Sequence, residues 1–165
     1  MSTWTPNWPP SQTEVFRDHG YASCEAQLLE SNLLTLLLAA ETAGRIKFDK
    51  KKDIESELWL SQKTLGGLIT ELKKGGTSED LHLLLTEAKT KRNDLTHHFF
   101  IRHAVSMDSE EGREKMLREL QNIRFKIGRA RIVIEQFNEE FIERVFGLSK
   151  KQIRVLYEEQ KKKQG

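Results

Sequence analysis

The chain has 165 residues; hydrophobic residues make up 37% of them, charged residues make up 32%, and the formal net charge is +2 at pH 7. This composition is typical of a single helical domain with a sizeable core, and it excludes a chain that is disordered throughout. So small a net charge does not by itself indicate a nucleic-acid partner.

The first residues predict an extended arm followed by a helix. Residues 1–10 contain all three Pro and two of the three Trp, and Pro is disfavoured inside a helix. Ser11 and Glu14 have the spacing of a capping box, and apolar residues at helical spacing follow it. Gly20 is the position at which this pattern allows an interruption, and Gly44 is expected to end the helix.

Two features of the first 40 residues indicate the cellular compartment that we expect for the protein. Cys24 is the only cysteine, which rules out an intramolecular disulfide and a Cys-rich zinc site and is typical of a reducing compartment. The most apolar run, residues 32–40, is too short to span a bilayer, and the chain begins without the basic and apolar regions of a signal peptide. We therefore expect a cytoplasmic protein with no membrane segment.

The middle of the chain predicts two shorter helices. Residues 45–53 form a charged connector, and residues 60–76 predict a short helix that ends in a Gly-Gly stop. A third helix begins at Thr77 or Ser78 and is expected to end near Ala104. Its apolar stripe carries a cluster of polar residues within the segment RNDLTHHFF.

The last third of the chain predicts one very long helix. Asp108 and Glu111 have the spacing of a second capping box, and apolar residues then alternate steps of four and three from Met116 to Leu148. Such a helix is about 60 Å long, whereas a domain of this length has a radius of gyration near roughly 15 Å. It is therefore expected to project, to kink at Gly128 or to pack against another chain.

The whole pattern predicts an all-α bundle of about five helices with one long helix. Ser149 and Gln152 have the spacing of a cap for a final helix, which frays into a Lys-rich end. The expected organisation is an extended Pro/Trp arm over residues 1–10, a single helical domain over residues 11–162 and a frayed tail over residues 163–165.

Arg92, Asn93 and His97 on the third helix are candidates for chemistry on RNA. Arg is a permanent planar cation suited to phosphate, and His exchanges a proton near neutral pH. Together they suit cleavage without a metal: His97 takes the proton of a ribose 2′-OH, which attacks the neighbouring phosphate, while Arg92 stabilises charge on the phosphoryl oxygens. The expected products carry a 2′,3′-cyclic phosphate and a 5′-hydroxyl.

Helix geometry separates Arg92 from His97, because five residues correspond to about 140° of rotation and about 7.5 Å of rise. Asn93 and His97 are instead an i,i+4 pair in which the amide can orient the imidazole; Asp94 and His98 have the same spacing, and we assign them a supporting role. A site that joins Arg92 to His97 requires a cleft, and a second copy of the chain is one way to complete it. The spacing alone is weak evidence, because a chain with eleven Arg and five His contains such a pair about once by chance.

The segment RNDLTHHFF, late on a helix of an all-α chain, resembles the Arg-polar-x-x-x-His signature of HEPN (higher eukaryotes and prokaryotes nucleotide-binding) domains. The preceding KTLGGLITELKK resembles one bacterial branch of that superfamily. The resemblance covers residues 22–148 as architecture and residues 92–100 as a motif. It implies a HEPN-like homodimer in which Arg92 and His97 are the catalytic pair of a metal-independent ribonuclease in a cleft between two protomers, with Asn93 as the polar neighbour and no cofactor.

The chain departs from one HEPN pattern. HEPN toxins that are paired with a nucleotidyltransferase antitoxin often have Tyr two residues after the His, as the target of modification, and this chain has Phe99 there. The departure argues against that mode of control. The expected substrate is RNA, the expected role is that of a toxin or a defence or stress effector, and a neutralising protein is a candidate partner.

The long helix also carries a basic stretch. Residues 121–134 contain no acidic residue but four cations that are candidates for RNA binding: Arg124, Lys126, Arg129 and Arg131. The simpler explanation of these charges is a solvated basic face. Phe125, Ile132 and Val133 lie off the core seam of the same helix and indicate a second contact surface, such as a dimer interface.

Less specific explanations of the cluster stay open. Arg92 and Asn93 fit a cation that extends from the core edge beside a local amide, and His97 fits a packed histidine bonded to a carbonyl. The chain would then be a non-catalytic dimeric HEPN-like module that binds RNA, nucleotide or protein, or a purely structural helical protein. No metal site is expected, because the remaining candidate histidines lack the spacing of known metal motifs: His82, His98 and His103.

Overall fold

A computed structural model of the chain describes residues 10–51, 54–149, 151–152, 154–155 and 158–159. Every regular element in these residues is helical, which confirms the predicted all-α class. In chain order the helices are α1 (Gln12–Thr42), α2 (Ser56–Ser61), α3 (Leu65–Lys74), α4 (Glu79–His97), α5 (Phe99–Arg102) and α6 (Glu110–Phe146), with a short 3-10 helix at Ser106–Asp108. The expected arm, apart from Pro10, and the expected Lys-rich tail lie outside the described residues.

The capping box at the start of α1 forms as predicted. The Glu14 carboxylate accepts a hydrogen bond from the Ser11 backbone N–H at 2.7 Å, and the Ser11 hydroxyl accepts one from the Glu14 backbone N–H at 3.2 Å. The helix runs through Gly20 without the interruption that the sequence allowed. Gly44 follows the C-cap with a φ of +69°, a conformation that favours glycine.

Cross-helix contacts define the bundle. Arg131 on α6 contacts Glu25 on α1 at 2.6 Å, and seven residues further along both helices the Asn138 amide donates to the Asn32 carbonyl at 2.8 Å. The two long helices are therefore parallel neighbours. His19 on α1 contacts the Leu95 carbonyl of α4 at 3.3 Å. Glu30, which comes later in α1, contacts Arg92, which comes earlier in α4. The helix α4 therefore runs antiparallel to α1.

The core lies between α1, α4 and α6, with α3 against α1 and α4. The largest fully buried side chains come from these four helices and from the short helices α2 and α5: Leu29, Leu33, Leu37, Leu60, Leu65, Leu85, Phe99, Met116, Leu120, Ile123, Ile127 and Ile134. Among the described residues, none of the helices combines the length and the apolar character that crossing a bilayer requires.

The length of α6 is accommodated within the chain. Its 37 residues correspond to about 55 Å, and the 31 residues of α1 run beside it for most of that distance. Gly128 lies inside the continuous helix, close to the Glu25 carboxylate of α1. The long helix therefore packs against a helix of the same chain, and it does so without interruption at Gly128.

The predicted end of the third helix near Ala104 is wrong, because α4 ends at His97. His98 has φ −124° and ψ −23°, outside the helical range. The short helix α5 follows, and it brings the Phe99 ring fully into the core. Burial of this ring compensates for the loss of helical continuity at His98.

The predicted capping box of Asp108 and Glu111 is also wrong. Asp108 belongs to the 3-10 helix, and Ser109 caps α6 by accepting a hydrogen bond from the Gly112 backbone N–H at 3.0 Å. The predicted cap of Ser149 and Gln152 is confirmed, since the two residues exchange hydrogen bonds ahead of the described helical residues 151–152, 154–155 and 158–159.

Candidate active site

An open cleft of about 380 Å³ lies between the beginning of α3 and the second half of α4. Seven residues line it, three from the start of α3 and four from α4: Thr64, Leu65, Gly66, Lys89, Arg92, Asn93 and His97. Arg92 and His97, which helix geometry separates by more than a quarter turn, thus face one cavity of a single chain. One open cavity within a single chain therefore borders both residues.

Arg92 is held by partners on two sides. Its Nη2 lies 3.2 Å from Oε1 of Glu30 on α1, and its Nη1 donates to Oδ1 of Asn93 at 3.3 Å. Glu30 Oε1 is buried and accepts no hydrogen bond, so its contact with Arg92 is ionic and not a well-directed hydrogen bond. The Arg92 side chain is 27% exposed, and its guanidinium keeps donors that can face an anion in the cleft.

His97 is the last residue of α4, and its side chain is exposed at one end of the cleft. Within the described part of the chain its ring forms no hydrogen bond, and the expected pairing with Asn93 is not made, because the Asn93 oxygen accepts from Arg92 instead. The His98 ring lies 6.2 Å away, centroid to centroid. The imidazole is therefore accessible to a ligand but is not oriented by a neighbour.

Asp94 bonds to Arg102 and not to His98 as the spacing suggested. The two carboxylate oxygens accept from the Arg102 guanidinium at 2.5 and 3.0 Å. The hydrogen bonds from Arg102 hold the pKa of the Asp94 carboxyl below its usual value, and Arg102 carries a raised pKa in turn. Arg102 also pairs with Glu119 of α6, so these charges anchor the turn that follows His97.

The start of α3 supplies the opposite wall of the cleft. Thr64 is the N-cap of α3, and its hydroxyl accepts a hydrogen bond from the Gly67 backbone N–H at 3.3 Å. Leu65 and Gly66 are the first two residues of the helix, whose N-terminal end carries a partial positive charge. The wall therefore adds to the positive potential of the α4 side chains.

The four basic residues of α6 that were candidates for RNA binding do not line this cleft. Lys126 lies 2.8 Å from Glu87, and Arg131 lies 2.6 and 2.7 Å from two carboxylates. Arg124 and Arg129 are positioned over the rings of Tyr21 and Phe125, respectively, at 5.2 and 5.8 Å. Two of the four charges are thus balanced by acids on the same or neighbouring helices.

Two histidines outside the cleft, His82 and His103, contact other polar side chains. His103 is buried and its Nε2 donates to the Glu119 carboxylate at 2.7 Å, while His82 lies 3.4 Å from the Lys73 ammonium. The described ranges contain no group of three or more His, Cys, Asp or Glu side chains placed to hold a metal ion.

Sequence reasoning missed two residues of the site, Lys89 and Glu30. Lys89 precedes Arg92 by three residues, so its helical spacing could have placed it on the same face. Glu30 belongs to another helix, and nothing in the linear sequence pairs it with Arg92.

Comparisons of the chain with known protein families, with curated proteins and with solved structures found no match.

Proposed function

We propose that this protein is a metal-independent endoribonuclease of the HEPN type, with Arg92 and His97 as its catalytic residues. The observation that carries the proposal is the shared cleft: a fixed cation, an amide and an accessible imidazole line one open cavity. A cation beside an imidazole is the minimal equipment for transferring a phosphoryl group within RNA.

In the proposed reaction the His97 imidazole removes the proton of a ribose 2′-OH. The 2′-oxygen attacks the adjacent phosphorus, and the bond from phosphorus to the 5′-oxygen of the next nucleotide breaks. The leaving 5′-oxygen takes up a proton from water, which gives a 5′-hydroxyl and a 2′,3′-cyclic phosphate, and the imidazolium of His97 returns its proton to the hydroxide left behind. Arg92 stabilises the charge that develops on the phosphoryl oxygens. Asn93 accepts a hydrogen bond from the Arg92 guanidinium and keeps it at the cleft.

A homodimer belongs to the same proposal, because His97 has no orienting partner among the described residues of its own chain. Exposed apolar side chains lie on the elements beside His97: Phe16 and Phe100, whose ring centroids are 5.6 Å apart, and Ile101, which is 77% exposed. Phe125 and Ile132 are exposed on α6 as well, but they do not line the cleft. A second copy seated on the Phe16 and Phe100 surface would cover apolar area and bring a further chain to His97.

The alternative is a non-catalytic dimeric module that binds RNA, nucleotide or protein. The ion pair between Arg92 and Glu30 and the unoriented ring of His97 favour it, because a site built only for binding needs no positioned base. In either case a toxic, defensive or stress role with a neutralising protein partner is a proposal that rests on the HEPN resemblance.

The test compares the wild-type protein with Arg92→Ala and His97→Ala on end-labelled RNA in the presence of EDTA. Each substitution is expected to reduce the cleavage rate by at least about 100-fold, the usual contribution of a positioned proton-transfer group or charge stabiliser. His82→Ala is the matched control, since His82 lies on the same helix outside the cleft. Absence of cleavage by folded wild-type dimer, with RNA binding retained, would favour the binding module.

A further inference from the structure

Lys89 is a cation of the cleft that neither the motif nor an internal partner accounts for. It lies on α4 with Arg92 and His97, and it lines the same cavity. Across the described residues it forms no ion pair and no hydrogen bond. By contrast, other described lysines pair with acids, among them Lys63 with Glu71 and Lys126 with Glu87.

The charges of the cleft make Lys89 the cation that is free to bind an anion. Arg92 is offset by the Glu30 carboxylate 3.2 Å away and is partly engaged by Asn93. An anion that binds Arg92 must therefore compete with an internal carboxylate, whereas one that binds Lys89 displaces only water. The net positive charge that the cleft offers with His97 neutral comes from Lys89.

The stem of Lys89 passes close to Gly66 on the α3 side of the cleft. A Cβ built on Gly66 would lie 3.2 Å from Cδ of Lys89, so the absence of a side chain at Gly66 leaves room for the lysine stem against the wall of α3. Lys89 precedes Arg92 by about 4.5 Å along the axis of α4. Residues three apart on one helix have Cβ atoms about 5–6 Å apart, and long side chains on them can reach neighbouring phosphates of one strand, which follow each other about every 3.4 Å of duplex axis and lie further apart through space.

We propose that Lys89 binds a backbone phosphate of the RNA next to the phosphate that Arg92 stabilises. The inference rests on the proposed function for the identity of the ligand, and it adds a substrate-binding residue outside the Arg-His motif. The site would then hold RNA through two successive phosphates, with His97 near the 2′-OH of the nucleotide to be cleaved.

The experiment measures binding of a fluorescent single-stranded RNA to His97→Ala, which keeps both cations, over a series of salt concentrations. Lys89→Gln in this background is expected to weaken binding about tenfold at low salt. It should also reduce the slope of log Kd against log salt by about 0.7, the value for one lost phosphate contact on a single strand. Lys91→Gln, which removes an equal charge two residues away and outside the cleft, is the matched control and should change neither quantity.

The outcomes separate this inference from the proposed function. Equal effects of Lys89→Gln and Lys91→Gln, or no effect of Lys89→Gln, would overturn the role of Lys89 even if the wild type cleaves RNA through His97. A slope change specific to Lys89 in a protein that never cleaves RNA would support the phosphate contact and overturn the ribonuclease. Failure of both the wild type and the His97→Ala protein to bind RNA at all would overturn both.

Discussion

At the scale of single residues, the bond between Asp94 and Arg102 is the contact that fixes the chain just after His97. Asp94→Asn is expected to lower the free energy of unfolding at pH 7 by about 1 kcal/mol, since it removes a charge-assisted pair that is partly exposed. The measurement is urea denaturation followed by circular dichroism.

The stabilisation by Asp94 also depends on pH. Because Arg102 lowers the pKa of Asp94 in the folded state, its contribution is complete above the usual carboxyl pKa and is lost as the pH falls through the lowered value. The difference between wild type and Asp94→Asn should therefore shrink in acid. A difference that stays constant from pH 7 to pH 2 would contradict this account of the pair.

The residues of the cleft were only partly predictable from the sequence. Arg92, Asn93 and His97 could be singled out because cations, amides and imidazoles are rare on an apolar helical stripe. Their hydrogen bonds could not be predicted, because i,i+4 spacing permits Asn93 to face His97 while a neighbouring Arg92 competes for the same oxygen. The role of Glu30 could not be predicted, because its pairing with Arg92 depends on how two helices pack.

At the scale of elements, the start of α6 depends on the close approach of Gly112 to the preceding 3-10 helix. A Cβ at Gly112 would lie 2.7 Å from the Cα of Ser106 and closer still to its carbonyl oxygen. Gly112→Ala is therefore expected to lower the free energy of unfolding by about 2–3 kcal/mol through overpacking against backbone.

Gly20→Ala provides the matched comparison, because Gly20 lies within α1 and a Cβ there meets nothing within 4 Å. This substitution should raise the free energy of unfolding by about 0.5–1 kcal/mol, the usual gain when Ala replaces Gly in a helix. Thermal unfolding of both variants checks the pair of predictions. Equal shifts of Tm in the same direction would show that the contact between Gly112 and Ser106 does not limit packing.

The helices themselves were largely predictable, because their apolar spacing is regular. The seam of α6 is buried from Met116 to Ile134 as expected, but the next buried position is Asn138, while Phe137 is 45% exposed. The asparagine is buried because its amide donates to the Asn32 carbonyl of α1. A pattern of hydrophobic residues does not reveal a polar residue whose partner lies on another helix.

At the scale of the whole molecule, the parallel packing of α1 and α6 explains how a chain of this length contains so long a helix. The sequence predicted the length of α6 but not its partner, since α1 and α6 are separated by more than 60 residues. A second copy is therefore not needed to support α6, and the argument for a dimer rests on the exposed apolar surface beside His97.

Ile101→Lys tests that surface. Ile101 is 77% exposed on α5, and a lysine at the centre of an interface would leave a buried charge without a partner. The wild type is expected at twice the mass of the 19.2 kDa chain by light scattering, and Ile101→Lys at the single mass. Leu83→Lys is the control, because Leu83, on α4, is also an exposed apolar residue, and this variant should stay dimeric. A monomeric wild type would contradict the proposed assembly.

The most direct test of the central claim is the identity of the ends that the wild-type protein leaves on a single-stranded RNA in EDTA. The account predicts 2′,3′-cyclic phosphate and 5′-hydroxyl ends, no cleavage at a position carrying a 2′-deoxyribose, and loss of these products in His97→Ala. Products with 3′-hydroxyl and 5′-phosphate ends, or cyclic-phosphate products that persist undiminished in folded His97→Ala, would contradict it.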